Sequence, residues 1–193
     1  YTPIYTPTPS ATFWFNRGEI YRESEKWNLA IVEYTKAIKG DPRHALSYYY
    51  RARSYGELDQ HSKAIRDLDK YIELSPGDSS GYHSRGNRYQ ELGQYERSVL
   101  DYDKAISLKG YTAMVYSSRG YSYYMLREYA SAILDYDKAI QFGPENAEDH
   151  RWRGLSYAGL DQYQVAMQSF NKSIELDSSD AKTWVYRGDA YHE

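Results

Sequence analysis

Six arginines at a fixed interval of 34 residues, Arg17, Arg51, Arg85, Arg119, Arg153 and Arg187, have the type and spacing that most invite a chemical reading. A guanidinium withdrawn from water needs acceptors. Carboxylates follow the arginines at Glu33, Asp67, Asp101 and Asp135, with Asp69, Asp103 and Asp137 on the same segments. The pattern predicts a structural ladder of arginine–carboxylate pairs, the stems lying on neighbouring tyrosines. Ser169 and Asn171 stand where the fifth unit would carry its acid, so that rung is expected to be weak.

Catalysis finds no comparable pattern. The five histidines, His44, His61, His83, His150 and His192, occupy five different places in the 34-residue register and make no repeated metal-ligand or His–carboxylate spacing. Glycines occur singly and build no phosphate loop. Without cysteine there is no thiol nucleophile, disulfide or zinc–cysteine site. No catalytic residue, metal or cofactor is expected, and the chain reads as a non-enzyme. Asn171-Lys172-Ser173 matches a glycosylation triplet but falls in an expected helix and is set aside. The formal net charge of -3 gives nucleic acid and acidic lipid no field to prefer. No apolar run reaches the ~20 residues of a membrane span, and no signal peptide opens the chain. Because the sequence starts at Tyr1 and not Met, it is expected to be an excised or processed piece.

The elements that position the arginines emerge from the same period. Each arginine is followed by Gly or Ala, a tyrosine stands three residues beyond that (Tyr21, Tyr55, Tyr89, Tyr123, Tyr157, Tyr191), and an aromatic or His four before it (Trp14, Tyr48, Tyr82, Tyr116, His150, Trp184). Spacings of four and three form one helical stripe. A second stripe follows, as in Ala132, Ile133, Tyr136, Ala139 and Ile140, so each unit is two amphipathic helices. Turns such as Leu92-Gly93-Gln94-Tyr95 separate them, and Pro42, Pro76 or Pro144 ends a pair. Ser10, His44, Asp78, Thr112, Asn146 and Asp180 precede the first helices, and five of the six are favoured N-caps. The mean hydropathy of -0.85 is low because 24 tyrosines carry much of the apolar surface.

With small residues at Gly86 and Ala64, aromatics at Tyr82, Tyr89 and Tyr102, and Pro76, the unit resembles the tetratricopeptide repeat family. The resemblance covers 11–193, with departures at Gly110 and Ser178 for proline and Ser98 and Ser173 for alanine. It implies an all-α solenoid, a right-handed superhelix of five 34-residue helix-turn-helix repeats (11–44, 45–78, 79–112, 113–146, 147–180) and one extra C-terminal helix (181–193).

The resemblance also implies a concave groove lined by first helices. Carried over by register, its ligand-binding candidates are Phe15, Glu19, Arg22, Tyr49, Arg53, His83, Asn87, Tyr121, Tyr124 and Arg151. Exposed rings at Phe15, Tyr49, Tyr121 and Tyr124 are expected to form an apolar patch. Of the lysine and asparagine positions with which the family clamps a C-terminal carboxylate, only Asn87 fits, so the expected partner is an internal, aromatic- or proline-containing segment of protein. Single-stranded nucleic acid is the alternative, and a self-assembly or spacer module the third. Self-association is expected at the end carrying Trp184 and Tyr191, or through residues 1–10. That Thr/Pro-rich stretch reads as an extended linker that could seat Tyr1, Ile4 and Tyr5 in a groove, and it leans the otherwise open localisation towards an extracytoplasmic or membrane-tethered setting.

Overall fold

Apolar residues recurring at helical spacing bury one face of each segment, and helices form throughout. The computed structural model describes residues 9–109 and 112–192, so the linker contacts expected of Tyr1, Ile4 and Tyr5, and Gly110, lie outside the described residues. Eleven helices and no strand occur among them: α1 Ala11–Glu23, α2 Trp27–Gly40, α3 Ala45–Gly56, α4 His61–Leu74, α5 Ser79–Glu91, α6 Tyr95–Ser107, α7 Ala113–Met125, α8 Tyr129–Phe142, α9 Ala147–Ala158, α10 Tyr163–Leu176 and α11 Ala181–His192. The chain forms two units, one to Leu92 with α1–α5 and one from Gly93 with α6–α11. No helix is long and apolar enough to cross a membrane.

First and second helices start differently. Ser10 caps α1 by accepting from the Phe13 amide at 3.1 Å, Asp78 caps α5 at Ser80, Thr112 caps α7 at Val115 and Asn146 caps α9 at Asp149. His44 caps nothing with its side chain, and its ring meets the Ser47 hydroxyl instead. Second helices have no side-chain cap. Each follows a left-handed residue, Glu25, Asp59, Gly93, Arg127 or Asp161, at φ between 55° and 69°. Gly93 alone of the five adopts that angle without a Cβ penalty.

In three hairpins a ring on the second helix lies on a glycine of the first, and in α3–α4 Leu68 packs with Ala52 instead. Tyr34 covers Gly18, Tyr136 covers Gly120 and Phe170 covers Gly154; a Cβ on Gly154 would stand 2.6 Å from the Phe170 ring. Tyr34, Tyr136 and Phe170 are fully buried, each burial stabilising by about 1.5–3 kcal/mol. Ala30, Ala37, Ala132, Ala139 and Ala166, all without exposed surface, let the helices approach that closely.

Candidate functional site

The arginines sit on first helices, and Arg51, Arg119 and Arg153 reach second helices on both sides in sequence. Arg51 grips Asp67 with two bonds of 2.7 Å and gives a third to Thr35. Arg119 grips Asp135 at 2.7 and 2.6 Å and also bonds Asp103. Arg85 reaches Asp69 at 2.7 Å and Arg153 reaches Asp137 at 2.8 Å, each partner sixteen residues earlier. Arg17 lies 3.7 Å from Glu33. In the fifth unit the partners are neutral: Ser169 for Arg153 at 3.2 Å, and Asn171 for Arg187 at 2.9 Å. Guanidinium groups stand near rings, that of Arg119 at 5.7 Å from the Tyr116 ring and 5.6 Å from that of Tyr123. Burial alone would lower the Arg119 pKa, but the bonds and charge of Asp135, joined by Asp103, raise it. Burial pushes the Asp135 carboxyl up, and Arg119 opposes that shift.

The first-helix candidates gather in two clusters. In the first unit, Tyr50 is the centre: Phe15 lies 5.8 Å from it, Tyr34 6.3 Å and Tyr49 5.2 Å between ring centres, while the guanidinium groups of Arg22 and Arg53 stand 5.1 and 6.0 Å over it. Glu19 accepts two bonds from Arg22, at 3.1 and 3.0 Å, and the hydroxyl of Tyr34. The bond to Glu19 raises the Arg22 pKa; burial, then the same carboxylate, raises that of the Tyr34 hydroxyl. Tyr49 also packs on Tyr71 and accepts a long bond from Ser84.

In the second unit the centre is Trp152, with Tyr121 at 4.8 Å, Tyr124 at 5.1 Å and the Arg151 guanidinium 5.6 Å over its ring. Arg151 bonds Asp180 at 2.6 Å and Glu148 at 3.0 Å. His83 and Asn87 lie on α5, where burial holds the His83 ring below the ordinary histidine range.

Phe15, Tyr49, Tyr121 and Tyr124 are half-buried, not the exposed patch expected from sequence. Tyr50 and Trp152 account for the difference by clasping those rings on the adjacent first helix or their own. Sequence reasoning missed both. A signal existed, because at the same register the other complete units carry Asn16, Ser84 and Ser118. Among the described residues no group of three or more His, Asp or Glu side chains could hold a metal ion.

Models of the tetratricopeptide repeat match residues 33–66, 83–147, and 11–44 with 152–180. No curated protein sequence matches the chain. Among solved structures, MamA superposes with a TM-score of 0.81 at 24% identity, over 89% of this chain and 94% of that one. A MamA fragment from Desulfovibrio magneticus RS-1 gives 0.83 at 18% identity, covering 91% and 99%. YrrB, described as a TPR protein with an unusual peptide-binding site, gives 0.74 at 21% identity over 82% of each chain. At these identities the likeness carries the fold.

Proposed function

We propose that this chain, which belongs to the tetratricopeptide repeat family, is a protein-interaction scaffold, not a catalyst, and that its first helices hold an extended internal segment of another polypeptide. The observation that carries this reading is the contrast between columns. The packing positions repeat from unit to unit, whereas the first-helix positions around Tyr50 and Trp152 vary and bring rings, guanidinium groups and Glu19 together at half-buried sites. Rings with polar edges give contact area at low entropic cost and can bond a peptide backbone. Asn87 as the lone match to a carboxylate clamp favours an internal segment over a chain terminus. Nucleic acid fits less well, because Arg22, Arg51, Arg119 and Arg151 already face carboxylates.

An array of extended peptides, printed with free and with amidated C-termini, tests the proposal. Aromatic- or proline-bearing hits bound equally in both forms, and weakened more than about tenfold by Arg53→Glu or Tyr121→Ser, are the expected result. Hits that all require a free C-terminus would overturn it.

Self-association is a second reading, favoured by α11, where Trp184, Val185 and Tyr191 are exposed, the last at 76%. Sedimentation over a hundredfold concentration range checks it, and a concentration-independent monomer would dismiss it.

A further inference from the structure

Within the units, the space between consecutive hairpins on the first-helix side occurs at equivalent register, and three such spaces are filled differently. Between α1, α2 and α3 it is closed by Arg22, whose guanidinium lies over Tyr50 and is bonded by Glu19. Between α7, α8 and α9 it is closed by Tyr121, Tyr124 and Trp152, with Tyr129 against Tyr124. Between α9, α10 and α11 the residues at the Tyr121 and Tyr124 positions are Leu155 and Ala158. A cavity of about 340 Å³ remains there. Phe170 and Tyr163 help to line it, and Tyr186, in register with Tyr50 and Trp152, forms one wall.

The charge in this space is inverted relative to the first unit. Asp189, which lines the cavity, is in register with Arg53. Of the nearby cations, Arg151 is committed to Asp180 and Glu148, and Arg187 to Asn171 and the Trp184 face. His192 is the other titratable group on the lining besides the tyrosines and Asp189.

We infer that this cavity is a specificity pocket for a single arginine side chain of the bound polypeptide. The volume is at the small end for ligand sites and suits one side chain. An arginine stem would lie on Leu155, Ala158 and Tyr163, and its guanidinium would stack on Tyr186 and meet Asp189, as Arg22 stacks on Tyr50 and meets Glu19 within the protein. The planar, weakly hydrated guanidinium suits such a half-apolar setting better than an ammonium. The inference rests on the reading that the first-helix face holds an extended segment.

The test uses the full chain, labelled with nitrogen-15 and titrated with N-acetyl-arginine amide, with the citrulline and norleucine amides as matched probes. The arginine probe is expected to shift the amides of Leu155, Ala158, Tyr186 and Asp189, and the citrulline probe to bind about tenfold more weakly. Asp189→Asn should reduce arginine to the citrulline level. Ala158→Tyr, which copies Tyr124 of the preceding unit, should abolish the shifts while the melting temperature is kept. Equal binding of all three probes, shifts confined to other residues, or no shift with any probe would each overturn the pocket. Array peptides that bind both variants as well as the parent would remove the pocket and leave the groove reading standing. Arginine-amide binding by a chain that retains no array peptide would do the reverse.

Discussion

Arg119 and Asp135, one on α7 and the other on α8, meet through two bonds of 2.7 and 2.6 Å, and the aspartate side chain is 3% exposed. A carboxylate so far from water is stabilised chiefly by Arg119, with Lys138 adding a smaller attraction. Asp135→Ala should therefore lower stability by about 3 kcal/mol, whereas Asp103→Ala, which removes a partner 47% exposed, should cost under about 1 kcal/mol. Replacing the pair together, Arg119→Met with Asp135→Leu, should recover most of the loss. Urea unfolding of the four chains checks the order; equal midpoints for Asp135→Ala and the parent would count against the ladder as a stabilising device.

Gly154 and Gly188 occupy the same register in successive repeats but have opposite surroundings. Phe170 lies on Gly154, while nothing lies within 4 Å of a Cβ placed on Gly188. Gly154→Ala should destabilise by about 1–3 kcal/mol through overpacking, and Gly188→Ala should stabilise by up to about 1 kcal/mol through helix propensity. Thermal melts decide the sign of each.

The hairpin turns offer a matched pair of backbone substitutions. Arg127 holds φ at 61° and Gly93 at 69°. Arg127→Gly should be neutral or stabilising by up to about 1 kcal/mol, since it relieves left-handed strain against the entropy of glycine. Gly93→Ala should cost about 1 kcal/mol. Melting temperatures moving in the same direction for both would contradict the turn geometry.

The bond from Arg151, then the one from Thr183, hold the Asp180 carboxyl below its ordinary value of 3.8. A carboxyl with a lowered folded-state pKa contributes stability above the unfolded value and loses it as pH falls. Asp180→Asn keeps a capping oxygen at the start of α11 but not the charge. It should melt a few degrees below the parent at pH 7, and the gap should close as the pH drops below about 4. A gap that stays constant down to pH 3 would refute the assignment.

The packing columns are legible in sequence because the same contact is solved again every 34 residues. Gly18, Gly120 and Gly154 must admit Tyr34, Tyr136 and Phe170, so the register, the helices and the residues that cap them can be read without coordinates. The positions between those columns answer to no such repetition. Tyr50 and Trp152 differ in sequence from Asn16, Ser84 and Ser118 at the same register, but which rings they half-bury depends on packing that the spacing does not specify. The cavity beside Leu155 escaped for a different reason: it is made by what two small side chains leave unfilled. The arginine pairing was partly legible, but nothing in the spacing distinguishes Asp69, Asp103 and Asp137 as partners of the arginine of the following repeat.

That reach across neighbours makes Arg51, Arg85, Arg119, Arg153 and Arg187 staples between successive hairpins, and so terms in the unfolding cooperativity of the unit that holds them. Where hairpins are joined by nearest-neighbour terms, the weakest junction sets where opening begins. In the second unit Arg119 joins α6 to α8 through two carboxylates, while Arg187 holds α10 through the amide oxygen of Asn171. Opening should start at α11 and travel inward, so amide exchange should be fastest in Ala181–His192, slower in α9 and slowest in α7 and α8. Within this unit, the helix beside the inferred arginine pocket is the one whose ordering a ligand would reinforce.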